Sequence, residues 1–170
     1  MNLKKATSFD FDLIYSEMQR NFIREEIRDR DTALALMSEK NYSIYHVLEG
    51  DARVGFLAIW ELSDFAFIEH FVIYEEFRCK GYGAKALDIV SKKFRKIVLE
   101  VEPARDEMKK RRISFYKRCG FHENDFDYIQ PPYRCGDEGT ELILLSYPKR
   151  LSDCVAVKNQ LYRLVYKIKE

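Results

Sequence analysis

Residues 65–102 constrain the fold more than any other stretch of this 170-residue chain. "FAFIEHFVIY" (65–74) has the composition of a strand. "EEFRCKGYG" follows as a glycine-punctuated turn. "AKALDIVSKKF" then places Ala86, Leu87, Val90 and Phe94 on one side of a helix, and "KIVLEVE" (96–102) reads as a short buried strand. Strand, crossover helix and strand make a βαβ unit, whose two strands run parallel. Upstream, "YSIYHVLEG" and "RVGFLAIWEL" are separated from each other and from residue 65 only by "GDAR" and "SD". Three strands joined by such short turns form an antiparallel meander. The expected fold is therefore α/β of the mixed α+β kind, with a mostly antiparallel sheet containing one parallel pair.

The flanks supply helices. "SFDFDLIYSEMQRNF" opens on a Ser/Asp capping cluster and spaces Phe11, Ile14, Tyr15 and Met18 helically. "REEIRDRDTALALMSEK" predicts a second helix carrying Ile27, Leu34 and Met37. "DEMKKRRISFYKRCGF" predicts a helix stopped by Gly120. "FHENDFDYI" and "ELILLSYP" read as a final strand pair joined by "QPPYRCGDEGT". The tail 152–168 reads as a closing helix with Val157, Leu161, Leu164, Val165 and Ile168 as its stripe. There is no repeat or linker. One domain over 1–170 is expected, with a core at 1–147 and a helical extension at 148–170.

Charge and composition narrow the partners. Twenty-nine basic and 28 acidic residues leave a formal charge of +1, which lacks the basic footprint of a nucleic-acid binder. No apolar run approaches the ~20 residues of a membrane helix, and "MNLKKATSFDFDLIYSEM" lacks a signal peptide's apolar stretch. Cys79, Cys119, Cys135 and Cys154 match no zinc spacing, so no metal is expected, and free thiols suit a cytoplasmic protein.

The glycine turn raises the question of which phosphate it serves. "GYGAKA" satisfies G-x-G-x-x-A, and Glu102 lies 21 positions beyond Gly81, where a ribose-binding acid belongs in a dinucleotide site. Against this, "EEFRCK" separates the turn from its strand, and the antiparallel meander does not suit a doubly wound sheet. The triphosphate motif G-x-x-x-x-G-K-[ST] is absent. Gly81 and Gly83 permit a tight turn that aims the amides of residues 79–84, and the positive end of the following helix, at a diphosphate. Arg78, Lys80 and Lys85 add charge at its rim.

"VIYEEFRCKGYGAKAL" resembles the acyl-CoA signature of the GNAT superfamily of N-acetyltransferases, R/Q-x-x-G-x-G/A after a strand, here Arg78, Gly81 and Gly83 after Val72 and Ile73. "FYKRCGF" (115–121) resembles a second family block, and the element order across 1–147 also matches. The resemblance implies a GNAT-like sheet of six to seven strands with a splayed central parallel pair, helices on both faces and a C-terminal helix. It implies acetyl transfer from acetyl-CoA to a primary amine by direct attack through a tetrahedral intermediate. A small-molecule acceptor is preferred because no acidic groove for a peptide tail is visible, and the closing helix 152–168 leaves a homodimer open. Phe71, Val72 and Ile73 are then expected to offer backbone groups to the pantetheine arm. Cys79, Lys80, Gly81, Tyr82, Gly83, Ala84 and Lys85, with Arg112 and Phe115, are expected around the cofactor. Many relatives carry an asparagine seven positions before the family tyrosine; this chain has Lys109 there.

Acetyl transfer needs a base for the amine and a proton for the departing thiolate. Glu69 is the expected base: strict alternation puts it with Phe67, Phe71 and Ile73, where desolvation raises a carboxyl pKa. His70 then points to the opposite face. Tyr116, matching the family tyrosine, is the expected acid, and the backbone amide near Ile73 the expected oxyanion donor. Tyr15 and Phe22 on one side, and Tyr128, Tyr133 and Arg134 on the other, are the expected acceptor walls. Two other classes stay open: a non-catalytic acyl-CoA-binding module, and a nicotinamide oxidoreductase using "GYGAKA".

Overall fold

The computed structural model describes residues 1–134 and 136–168; Cys135 lies outside them. Among the described residues eight strands form the sheet: β1 (Asn2–Lys5), β2 (Tyr42–Glu49), β3 (Ala52–Glu61), β4 (Ala66–Ile73), β5 (Ile97–Val101), β6 (His122–Glu123), β7 (Tyr128–Gln130) and β8 (Thr140–Tyr147). Their order is β1-β2-β3-β4-β5-β8-β6, with β7 also on β8. Every pairing is antiparallel except β4 with β5. The mixed sheet is thus as expected, but the strand foreseen over 121–129 breaks in two. The amide and side-chain nitrogen of Asn124 both donate to the Leu144 carbonyl (3.1 and 2.9 Å), and the chain bows outward before pairing resumes at Tyr128.

Side-chain caps set the helix starts. Asp29 accepts from the Thr32 amide (3.0 Å) to begin α2 (Arg30–Leu36), and Asp106 from that of Lys109 (2.9 Å) to begin α4 (Glu107–Arg118). Asp153 does the same for α5 (Cys154–Gln160) through the Ala156 amide (2.9 Å). Before α1 (Phe11–Asn21), Thr7 and Asp10 form a reciprocal box. The single helix expected over 24–40 is instead a short turn, an extended Ile27 and then α2. That break lets Arg28 enter the interior, where it is 6% exposed.

The sheet divides two apolar cores. One face packs Phe67, Val98 and Trp60 against α1, α2 and the C-terminal segment through Phe11, Ile14, Leu36 and Leu161. The other packs Ile68, Leu99 and Leu57 against α3 (Tyr82–Lys93) and α4 through Leu87, Val90 and Ile113. Each fully buried Phe, Ile or Leu contributes about 1.5–3 kcal/mol.

After α5 the helix widens. The Tyr166 amide reaches the Leu161 carbonyl (3.0 Å), five residues back. This π turn over Leu161–Val165 shifts the buried stripe, so Val165 and Tyr166 face the core while Ile168 is exposed. No helix among the described residues is long and apolar enough to cross a membrane.

Candidate active site

The parallel pair is short. Ala66, Phe67 and Ile68 pair with Ile97, Val98 and Leu99, and there the ladder stops, although β4 runs on to Ile73 and β5 to Val101. The two strands part beyond Ile68 and Leu99. A cleft of about 1260 Å³ occupies the gap and continues to the glycine turn. On its far side β4 stays tied to β3: the Tyr74 amide donates to Val54 (3.0 Å), and a Cβ on Gly55 would lie 2.1 Å from the Val72 carbonyl oxygen. Backbone alternation then points the groups of Val72 at β3 and those of Phe71 and Ile73 at the cleft. Of the three residues expected to offer backbone, two face the gap.

The turn at the cleft mouth owes its shape to two left-handed residues, Cys79 (φ +60°) and Gly81 (φ +79°). Gly81 immediately precedes α3, whose first residues, Tyr82, Gly83 and Ala84, line the cleft and have amides with no partner within the helix. Gly83 has a different reason to be glycine: a Cβ there would meet Phe115 Cζ at 3.1 Å. The Phe115 ring holds the start of α3 against α4.

Of the basic residues expected at the rim, Arg78 lines the cleft, its Nε donating to the Ile73 carbonyl (3.0 Å) and its Nη2 to Asn21 Oδ1 (2.5 Å), while the two lysines are engaged elsewhere. Lys80 donates to the Glu76 carbonyl (2.8 Å), and Lys85 lies over the Tyr82 ring. Arg112 lines the cleft while pairing with Glu102 (3.3 Å), which also takes Lys109 (2.9 Å). Glu102 is thus paired with two surface cations.

Glu69 departs from expectation for a local reason. Ala58 pairs with His70 and Ile59 with Ile68, so Glu69 is the extra residue of a β-bulge. The bulge breaks the alternation and turns Glu69 and His70 together toward the segment linking α1 and α2. Phe71 and Ile73 face α3 and α4 instead. The Glu69 side chain is 1% exposed. It takes a contact from Arg28 Nη1, Trp60 Nε1 at 3.2 Å and the Tyr133 hydroxyl at 3.1 Å. Burial alone would push this carboxyl up, but Arg28, aided by His70, outweighs it, so its pKa lies below the usual range. The expected rise does not occur. His70 Nε2 lies 3.0 Å from the Glu26 carbonyl, and burial pushes its imidazole down.

Glu100, on β5 and facing the same side, is the residue the sequence reading missed. It borders the cleft, and its two oxygens accept from the hydroxyls of Tyr128 and, at 2.6 Å, Tyr166. Burial raises its pKa to about 7, although both phenols favour the charged form. One carboxyl is held ionised and its neighbour is poised near neutrality, the separation that divides roles in acid–base sites. Tyr116 lies across the sheet on α4, where it borders the cleft between Phe115 and Phe121. Burial pushes its phenol up to about 12.

The expected acceptor walls are partly corrected. Phe22 borders the cleft, edge-on to His70. Tyr15 is a core residue whose hydroxyl donates to the Arg28 carbonyl (3.0 Å). Tyr128 and Tyr133 sit behind the carboxylates rather than along the cleft, and Arg134 lies in the turn closed by the Asp137 amide (3.3 Å).

Known proteins give the same picture. A model of the Acetyltransferase (GNAT) family matches residues 11–121. The Bacillus subtilis (strain 168) protein YjbC, whose name proposes an acetyltransferase, is 29% identical over 142 residues, covering 82% of this chain and 72% of its own. A solved structure from Bacteroides thetaiotaomicron, named as a proposed GNAT-family acetyltransferase, superposes with a TM-score of 0.94 at 29% identity, covering 99% of this chain and all of its own. A Bacillus subtilis acetyltransferase solved with CoA shares the fold at a TM-score of 0.56 and 15% identity, over 85% of this chain and 96% of its own. With the family matched across both the parted strands and the glycine turn, the chain belongs to the GNAT family of acetyltransferases.

Proposed function

We propose that the protein moves an acetyl group from acetyl-CoA to the primary amine of a small molecule. The observation that carries this reading is the early end of the β4–β5 ladder, with cleft-facing amides at Phe71 and Ile73 and a left-handed turn at its mouth. A thiol-bearing arm fits that slot by strand-like pairing. The first amides of α3 suit its diphosphate, with Arg78 and Cys79 bordering the same cleft. When bound, acetyl-CoA supplies an activated thioester.

The chain's own groups supply the proton transfers. Glu100, poised near neutrality, accepts the proton from the incoming ammonium and leaves a nucleophilic amine. This role moves from Glu69, which Arg28 holds charged and Trp60 and Tyr133 saturate. Glu69 and Arg28 instead fix the charge next to the base. Tyr116 keeps its phenol proton through the neutral range and is the donor to a departing thiolate. The amides of Phe71 and Ile73 are the donors for a developing oxyanion. Tyrosines packed behind the carboxylates leave the approach beside Phe22 and Asn21, which suits a compact acceptor. Unbridged Cys79, Cys119 and Cys154 agree with a reducing, cytoplasmic setting.

The test is thermal shift with acetyl-CoA, CoA, NAD and ATP, followed by thiol release across a panel of amines. Stabilisation by the two CoA species and amine-dependent thiol release are expected. Stabilisation by NAD alone would overturn the assignment.

A further inference from the structure

The C-terminal segment touches Glu100 directly and Glu69 only through Tyr133 and Arg28. Tyr166, just after the π turn, donates its hydroxyl to Glu100 Oε2 (2.6 Å), and its ring packs on Tyr133, centroids 5.4 Å apart. Tyr133 donates to Glu69 (3.1 Å). The Val165 carbonyl accepts from Arg28 Nη2 (2.9 Å), and Arg28 is the ion partner of Glu69. A regular helix would not present the chain this way: the five-residue bond from Leu161 to Tyr166 is what rotates the Tyr166 ring inward. The family match ends at residue 121, well short of this segment.

Resting on the acetyltransferase reading above, we infer that Tyr166 is a positioning residue for catalysis, delivered by the C-terminal turn to orient the Glu100 carboxylate toward the gap between β4 and β5. Tyr128, from β7, holds the other oxygen. Together they pin the carboxylate from behind, where water would otherwise solvate it. The remaining groups acting on Glu100 are the Glu69 carboxylate from β4 and the Arg28 guanidinium ahead of α2. The phenols of Tyr133 and Tyr162 complete its surroundings. Both phenol bonds favour the ionised form, so removing one makes the proton harder to lose. A base works when deprotonated, so its loss of activity on acidification then begins at higher pH.

The test is Tyr166→Phe in the full chain, which keeps the ring on Tyr133 and removes only the hydroxyl. Two titrations are followed: kcat/KM for the amine at saturating acetyl-CoA, and the Glu100 carboxyl carbon by NMR in glutamate-labelled protein, assigned with Glu100→Gln. Both midpoints are expected to rise by about one pH unit, so that activity falls about tenfold on the acid side and recovers on the alkaline side. The KM for acetyl-CoA stays unchanged. Gln160→Ala, at the end of α5, is the control on the same segment: its side-chain nitrogen donates to Asp64 Oδ2 (3.1 Å), and neither midpoint should move. An unmoved carboxyl titration in Tyr166→Phe, or an equal fall in activity at every pH, overturns the role given to Tyr166. A carboxyl titration that moves while the activity profile stays put overturns it as well. That last outcome traces the failure to Glu100 as base rather than to the contact.

Discussion

Glu100→Gln is expected to remove activity and to stabilise the fold. Burial lifts the Glu100 pKa from 4.5 to about 7, so the native protein binds this proton more tightly than the unfolded chain does. The stability it contributes is complete below about pH 4.5 and is lost as pH rises through about 7. A separation of roughly 2.5 pH units corresponds to about 3 kcal/mol on the alkaline side. Glutamine nearly matches the side-chain volume and carries no charge to desolvate. Its oxygen can accept from one phenol, and its amide can donate to the oxygen of the other.

Urea unfolding at about pH 5 and about pH 8.5 measures the difference. The two proteins should be close to equal at the lower pH. At the higher pH the variant should be more stable by up to about 3 kcal/mol, a midpoint rise of about 1 M or more. Thiol release should fall by at least about a hundredfold, within the usual contribution of a positioned base. Equal stability at both pH values, or a variant weaker at high pH, would show that the ionised carboxylate is fully compensated in place. Glu100 would then not be a base poised near neutrality.

Other perturbations read other parts of the site. Arg28→Met leaves the Glu69 carboxylate buried without its partner and should cost about 3–5 kcal/mol in urea unfolding. Gly81→Ala strains a residue at φ +79° by about 1–2 kcal/mol; with open space around it, the fold should persist while CoA affinity by calorimetry falls. Gly55→Ala drives a methyl to 2.1 Å from the Val72 carbonyl oxygen, so β3 and β4 must separate, and a loss of soluble folded protein on expression is expected. Tyr116→Phe should lower kcat and leave CoA affinity within about twofold, since the ring remains between Phe115 and Phe121.

The sequence carried the strand and helix order well, because each element has a strong period and a cap or glycine at its end. It carried side-chain direction poorly wherever the backbone adds or rotates a residue. Glu69 was assigned its neighbours by strict alternation; Phe67 does share its face, but the bulged residue sends Phe71 and Ile73 to the other. Tyr166 fell off the expected helical stripe because a π turn shifts the phase. Arg28 stands in the charge run "EIRDRD", where nothing in the pattern separates it from the exposed Arg30. Glu100 had a usable signal: it is the single charged residue of β5, between Ile97, Val98, Leu99 and Val101, all of which are buried. A lone acid in such a strand is either paired or functional.

The positions hardest to read are those where the sheet stops satisfying its own backbone. A regular ladder would pair every amide of β4 and leave no room for a ligand. Ending the β4–β5 pairing at Ile68 and Leu99 exposes the cleft-facing groups of Phe71 and Ile73, and the bulge one residue later turns Glu69 and His70 to one side. Two neighbouring irregularities thus open a slot and set the charge beside it. The slot joins the two faces of the sheet: α3 and α4 bring the glycine turn and Tyr116 from one side, and the C-terminal segment and β5 bring the Glu100 cluster from the other. The proposed transfer, from a cofactor on one face to an amine on the other, needs that opening. A substitution that zipped β4 to β5 would be expected to strengthen the sheet and abolish the reaction together.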